Sequence, residues 1–280
     1  MIAFSWLSIS ILMLAYGPTD RLESIGPPPA DWNLAPFYKK CIVVEGLPIV
    51  ASERVSDPAL REAAYIVRSM TRTRPEVLRA MAKAKVRLAV MAYDERTIDI
   101  PEHSDLTPAS YWNRRARGLG ATTQRPAVSC AEENLLEFHG DPYSTENILV
   151  HEFAHGIHEM GMKTVDPTFD RRLRAAFESA KARGLWNRTY AMSNRAEYWA
   201  EGVQSWFGTN RHDDGEHNHV DTRAELIAYD PDLAKLVAEV FPDNDWSYVR
   251  PSKRTPEGRS HLEGFDFEKR PRFSWESPKP

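Results

Sequence analysis

The stretch TENILVHEFAHGIHEMG, residues 145–161, carries His151, Glu152 and His155 in the spacing HExxH. Apolar Ile148, Leu149 and Val150 lead into it, and the pattern predicts a helix from Thr145 to Met160 closed by Gly161. On a helix, residues four apart lie one turn apart on one face, so both imidazoles can reach one zinc ion at about 2.0–2.1 Å. Glu152 projects beside them, where it can serve as a general base without being a ligand. The competing reading is a solvated helical face with two unrelated histidines. The apolar approach argues against it, because a packed helix turns its polar side toward something enclosed.

A catalytic zinc takes three protein ligands and keeps one position open. The three-histidine continuation is missing: His158 follows His155, but position 161 is Gly and the next histidine is His212. A carboxylate is needed instead. In residues 194–202, NRAEYWAEG, Asn194 or Ser193 can cap a helix predicted to run from Asn194 to Phe207 and to close at Gly208. Glu197 and Glu201 share one face of it, among Tyr198, Trp199, Trp206 and Phe207. Two carboxylates are costly to bury there without a purpose. Glu197 is assigned as the third ligand, and Glu201, one turn later, as acceptor of a hydrogen bond from a ligating imidazole. An exposed acidic stripe is the alternative.

Working outward, the first half of the chain mixes strand and helix. Cys41 to Val50 reads as one apolar strand, and Asp57-Pro58 opens a helix carried by Leu60, Ala64, Val67 and Met70. Pro75 to Ala84 reads as a second, short helix. Val86 to Ala92 and Ala127 to Cys130 read as strands, with residues 93–126 as loop. Beyond the motif the pattern is helical: Phe169 to Arg183 closed by Gly184, the Asn194 helix, then Thr222 to Phe241 interrupted at Pro231. Residues 250–280 combine prolines and charges without periodicity and read as a mobile tail.

From the HExxH helix through Trp206 the chain resembles the gluzincin zinc metallopeptidases, in particular the catalytic domain of anthrax toxin lethal factor. Tyr190-Ala191-Met192-Ser193-Asn194-Arg195-Ala196-Glu197-Tyr198-Trp199-Ala200-Glu201 matches its tyrosine, asparagine and E-aromatic-aromatic-A-E helix in order and spacing. The resemblance implies His151, His155 and Glu197 as zinc ligands, Glu152 as general base and Tyr190 as the hydroxyl that stabilises an oxyanion. Gly202 departs from the pattern, and residues 93–143 have no counterpart. The implied fold is α+β and zincin-like: a small mixed sheet including Val86 to Ala92 packs on the HExxH helix, and a helical C-terminal half delivers Glu197. The implied activity is hydrolysis of a peptide or protein substrate. A zinc hydrolase of a non-peptide amide and a non-catalytic binding module with a structural metal are the rivals.

The apolar run Ala3 to Ala15 suits the core of a signal peptide and falls short of the roughly 20 residues of a membrane span. Cleavage is expected after Gly17, which gives a signal peptide at 1–17, a catalytic domain at 18–249 and a tail at 250–280, in a secreted or periplasmic protein. No Lys or Arg precedes the run. Export would allow Cys41 and Cys130 to form a disulfide. With 36 basic and 40 acidic residues the net charge is −4, too balanced for a nucleic-acid groove or an anionic membrane surface. Three other features read as weaker: His217 and His219 as a solvated turn, His158 as a helix-surface or supporting residue, and Trp112 with Arg114, Arg115 and Arg117 as either cleft lining or packing.

Overall fold

In the computed structural model, which describes residues 24–276, the apolar run 41–50 is not one strand. Glu45 and Gly46 both take positive φ, 49° and 86°. That pair of angles belongs to the two-residue hairpin turn that matches strand twist. The chain therefore folds back as β1 (Lys40–Val44) and β2 (Leu47–Ala51), with Cys41 opposite Val50. No Asn or Asp marks this turn, so the apolar flanks hide it. Then follow α1 (Asp57–Thr71), α2 (Pro75–Lys83), β3 (Arg87–Met91), α3 (Ala109–Arg115), β4 (Ala127–Ala131) and the single turn α4 (Glu132–Leu135). The sheet is mixed, in the order β1-β2-β3-β4: β1 and β2 are antiparallel, while β2, β3 and β4 are parallel.

The two sheet faces are covered differently. Ile42, Val44, Ile49, Leu88, Val90, Val128 and Cys130 join the main core with the helices, whereas Cys41, Val50, Ala89 and Met91 pack with Tyr38 and Ile100 on the other side. The expected Cys41–Cys130 bridge does not form, and both thiols are free and buried. The strands that carry them are the opposite edges of the sheet, three strand spacings or about 14 Å apart, and their side chains leave opposite faces. A disulfide needs Cα atoms within about 7 Å. Burial pushes the Cys41 thiol up to about 11.

The second half is helical: α5 (Ile148–Gly156), a π-helical turn (Ile157–Met162), the single turn α6 (Lys163–Val165), α7 (Phe169–Ala182), α8 (Arg195–Phe207), α9 (Arg223–Tyr229) and α10 (Pro231–Val240). The fold is α+β, with α5 lodged between β4 and α8. The break expected at Pro231 falls between α9 and α10. Gly202 has a steric reason: a Cβ there would lie 2.6 Å from Leu233 Cδ2, so α8 can approach α10 only without one. Among the described residues no helix is long and apolar enough to cross a membrane. The expected signal peptide at 1–17 lies outside the described residues.

Residues 250–276 were expected to be mobile, yet they are bound to the body by specific polar contacts. Buried Glu62 of α1 receives Arg254 through two hydrogen bonds of 2.9 and 2.7 Å and His261 Nε2 at 2.7 Å. Arg254 stacks 4.5 Å over Tyr65. Farther on, Phe273 N donates to His139 O and His139 N to Pro271 O. These anchors have no period, which is why a search for apolar repeats passes over them. Glu62→Ala leaves Arg254 buried without its partner and is expected to cost about 3–5 kcal/mol, read as a lower urea midpoint.

Candidate active site

The helix that carries HExxH begins at Ile148, three residues later than expected. Asn147 Oδ1 accepts from Val150 N at 3.0 Å, and Ile148 N donates to Asn134 Oδ1 at 2.9 Å, so two asparagines satisfy amides of the first turn. Gly161 does not close the helix but lies inside the π-helical turn, a form found often beside functional sites.

His151 and His155 project from one face of α5 with Nε2 atoms 3.1 Å apart. Asn194 caps α8, its side chain accepting from Ala196 N at 2.8 Å and Glu197 N at 3.1 Å, and this fixes the turn that presents Glu197. Glu197 Oε2 stands 3.0 Å from His151 Nε2 and 3.3 Å from His155 Nε2. The three donor atoms thus make a triangle with edges of 3.0–3.3 Å. A tetrahedral ion with bonds of about 2.0–2.1 Å keeps its ligand atoms about 3.3–3.4 Å apart, so the donor set fits zinc in type and in spacing.

The electrostatics agree with a cation at this point. Burial works against charge on His151, but the Glu197 hydrogen bond and the charges of Glu152 and Glu201 outweigh it and hold its pKa up to about 10. Burial likewise opposes a charged Glu197, and the two histidines overcome it, holding the carboxyl well below the usual range. Glu152 goes the other way: burial pushes it up, against the pull of His151 and His155.

The orienting partner of His151 differs from the one expected. Glu201 Oε1 lies 3.6 Å from Nδ1, whereas Gln204 Oε1 lies at 2.7 Å. The Gln204 amide is itself oriented, because its Nε2 donates to Glu146 Oε2 at 3.1 Å. Nδ1–H is therefore a donor, and Nε2 is left to ligate. Gln204 is seven residues after Glu197, on the same helical face; that periodicity was the available signal. Glu201 turns to His217 instead, 3.4 Å from its Nε2.

His217 is not in a solvated turn. It is buried, with Nδ1 2.9 Å from Asp214 Oδ1 and its ring 6.4 Å from that of Tyr190. His219 packs edge-on against Tyr229. His158, read as a helix-surface or supporting residue, is fully buried and bonds Asp170 at 3.0 Å. It forms a second donor group with Glu159 and Asp170, but Lys163 and Arg195 already neutralise those carboxylates.

Tyr190 opens a 3-10 turn just ahead of Asn194, and its N–H donates to Glu216 O at 2.7 Å. Its ring lies 6.3 Å from that of His151. Burial and the Glu197 charge push the phenol up, with Arg115 opposing, so it remains a hydrogen-bond donor at neutral pH. His151, Glu152, His155, Tyr190, Glu197 and Glu201 all line one cavity of about 610 Å³. Trp112, Arg115 and Arg117 line it too, although Arg117 is buried against Glu133, and Arg114 is not in the lining.

One wall is a backbone edge. Leu119 pairs with Ser129 of β4 in antiparallel fashion, with N–O distances of 3.3 and 2.8 Å. By the alternation of that ladder, the amides of Gly118 and Gly120 face away from β4. Side chains at these positions are sterically excluded: a Cβ on Gly118 would lie 2.4 Å from Ile148 Cγ2, and one on Gly120 2.6 Å from His155 Cβ.

No protein-family model matches the chain, and no curated protein does. Among solved structures, a PRO-PRO endopeptidase from Paenibacillus alvei aligns with a TM-score of 0.46 and 16% identity, covering 69% of this chain and 97% of that one. At that distance the likeness assigns neither metal nor substrate.

Removing the orienting amide should matter more than removing the neighbouring carboxylate. Gln204→Ala is expected to weaken zinc binding about 10–100-fold, and Glu201→Gln less, in competition titrations against a chelator.

Proposed function

We propose that the chain is a zinc-dependent peptidase of the gluzincin type. The observation that carries this reading is the triangle of His151, His155 and Glu197 with Glu152 beside it in one cavity. His151, His155 and Glu197 would hold the ion, and three protein ligands leave a coordination position open, as catalytic rather than structural zinc requires. A bound zinc supplies Lewis acidity, which makes water a better nucleophile at neutral pH and polarises a carbonyl.

The chain's own groups do the rest. Glu152, in the same buried wall, accepts the proton of the attacking water and returns it to the leaving nitrogen; its raised pKa suits a group that must both take and give. Tyr190 keeps its proton and donates to the carbonyl oxygen as charge develops there. Gln204 and Glu146 hold the His151 ring in one tautomer. Asp214 and His217 support the segment that carries Tyr190.

A peptide, rather than another amide, is favoured by the Gly118–Gly120 edge. It offers outward backbone donors and acceptors to an extended chain laid against it, directly above Glu152 and His155. Export is part of the proposal on the strength of the apolar run Ala3 to Ala15.

Two substitutions test the mechanism. Glu152→Gln should lower hydrolysis of a peptide library by about 10²–10⁴ while zinc content, measured on the purified protein, is unchanged. Retained turnover at full zinc occupancy removes Glu152 from the reaction. Tyr190→Phe should lower kcat by about 10²–10³ with KM and zinc content little altered. A KM effect alone, or equal loss of folded protein and activity, makes Tyr190 a packing residue.

A further inference from the structure

Among the described residues the cations that line the cavity can be matched against carboxylates, and one is left over. Arg117 is fully buried and forked onto Glu133, with Nη2 3.0 Å from Oε2. Arg211 is held by Asp214 at 2.7 Å and faces Glu216 at 3.6 Å. His217 takes Asp214 and Glu201. His151 and His155 converge on Glu197. Arg115 lines the same cavity and is solvent-exposed, and among the described residues it lies within ion-pair distance of no carboxylate. Its charge nevertheless reaches into the site, acting on both Tyr190 and Glu152.

The backbone under Arg115 is fixed, while its head meets neutral groups, the Tyr111 ring and the Tyr190 hydroxyl. The Arg115 carbonyl accepts the Tyr143 hydroxyl, and its guanidinium sits 5.7 Å from the Tyr111 ring. Arg115 ends α3, and two residues later Arg117 begins the segment that pairs with β4 and turns the Gly118 and Gly120 amides away from that strand. A chain extended along that edge passes beside Arg115. A guanidinium has five donors in a planar fork and keeps its proton at all relevant pH; its natural complement is a carboxylate bound through two hydrogen bonds.

We propose that Arg115 is a specificity determinant that binds a carboxylate of the substrate, so that the preferred ligands are peptides carrying an acidic group close to the bond positioned over Glu152. The carboxylate can belong to an Asp or Glu side chain or to the free C-terminus. This proposal rests on the peptidase reading above.

Binding without turnover tests it apart from that reading. Zinc-loaded Glu152→Gln protein is immobilised and exposed to random hexapeptide pools, one with free C-termini and one amidated, and the retained peptides are counted by mass spectrometry. Peptides bearing a carboxylate are expected to be enriched about tenfold or more over their Asn, Gln or amidated counterparts. Adding Arg115→Gln should erase the enrichment without changing Tm, since the side chain is exposed, and Arg115→Lys should keep part of it. Enrichment that survives amidation identifies an acidic side chain; enrichment lost on amidation identifies the terminus. No retention, equal retention of neutral and acidic peptides, enrichment that Arg115→Gln leaves intact, or an equal fall for every peptide overturns the proposal. Incubating the retained peptides with the wild-type protein tests the peptidase reading separately: failure to cleave them defeats that reading and leaves the carboxylate site standing.

Discussion

Three donor atoms brought to one point are the constraint on which the rest of this structure depends. Two come from adjacent turns of α5, so helix geometry alone sets their separation. The third comes from α8, and its position depends on how two helices pack. Burial penalises charge on both His151 and Glu197, yet each overcomes that penalty through the other. A cation at their centre would do the same for all three at once, and this supports the proposed reading of the cluster as a metal site.

The packing that delivers Glu197 is steric before it is electrostatic. Gly202 lets α8 close on Leu233 of α10, and Trp199 Nε1 donates to Ala154 O at 2.9 Å, locking α8 to α5 between the turns that carry His151 and His155. Asp230 caps α10 through Leu233 N and also accepts from Tyr198 and Trp186, tying the helical half together behind the site. The same logic of close approach operates on the opposite wall, where Gly118 and Gly120 bring a backbone edge against Glu152 and His155. The cavity therefore has one wall of side chains bearing chemistry and another of bare peptide groups.

Between those walls the polar residues form chains rather than pairs. Glu146, Gln204 and His151 make one; Asp214, His217 and Glu201 make another. Each ends on a group at the cavity, and each begins on a carboxylate that holds the next member's hydrogen in place. Burial pushes Glu146 up, with His151 and the Gln204 amide opposing. Such chains keep ring tautomers and rotamers single-valued, which a site needs if its geometry is to be preserved through a reaction.

Much of this could be read from the chain alone. The HExxH spacing, the Glu197 helix with its Asn194 cap and Gly208 stop, and the run Val86 to Ala92 each follow from local periodicity, and local periodicity is set by helix and strand geometry. The hairpin at Glu45-Gly46 was not readable, because its turn residues sit inside an apolar run. The disulfide expectation failed for a topological reason: strand order, which puts Cys41 and Cys130 at opposite edges and on opposite faces, is a property of the folded sheet. His217 and the Glu62 anchor of the C-terminal segment have partners far away along the chain and no periodic signal announces them, while the period that puts Gln204 on the Glu197 face does not say which imidazole it meets. What the sequence by itself determined is which residue types α5 and α8 carry into the candidate site. Only the tertiary structure decided which neighbour orients each of them, and which guanidinium at the cavity meets no carboxylate among the described residues, because those outcomes depend on distances between segments that meet only when the chain is packed.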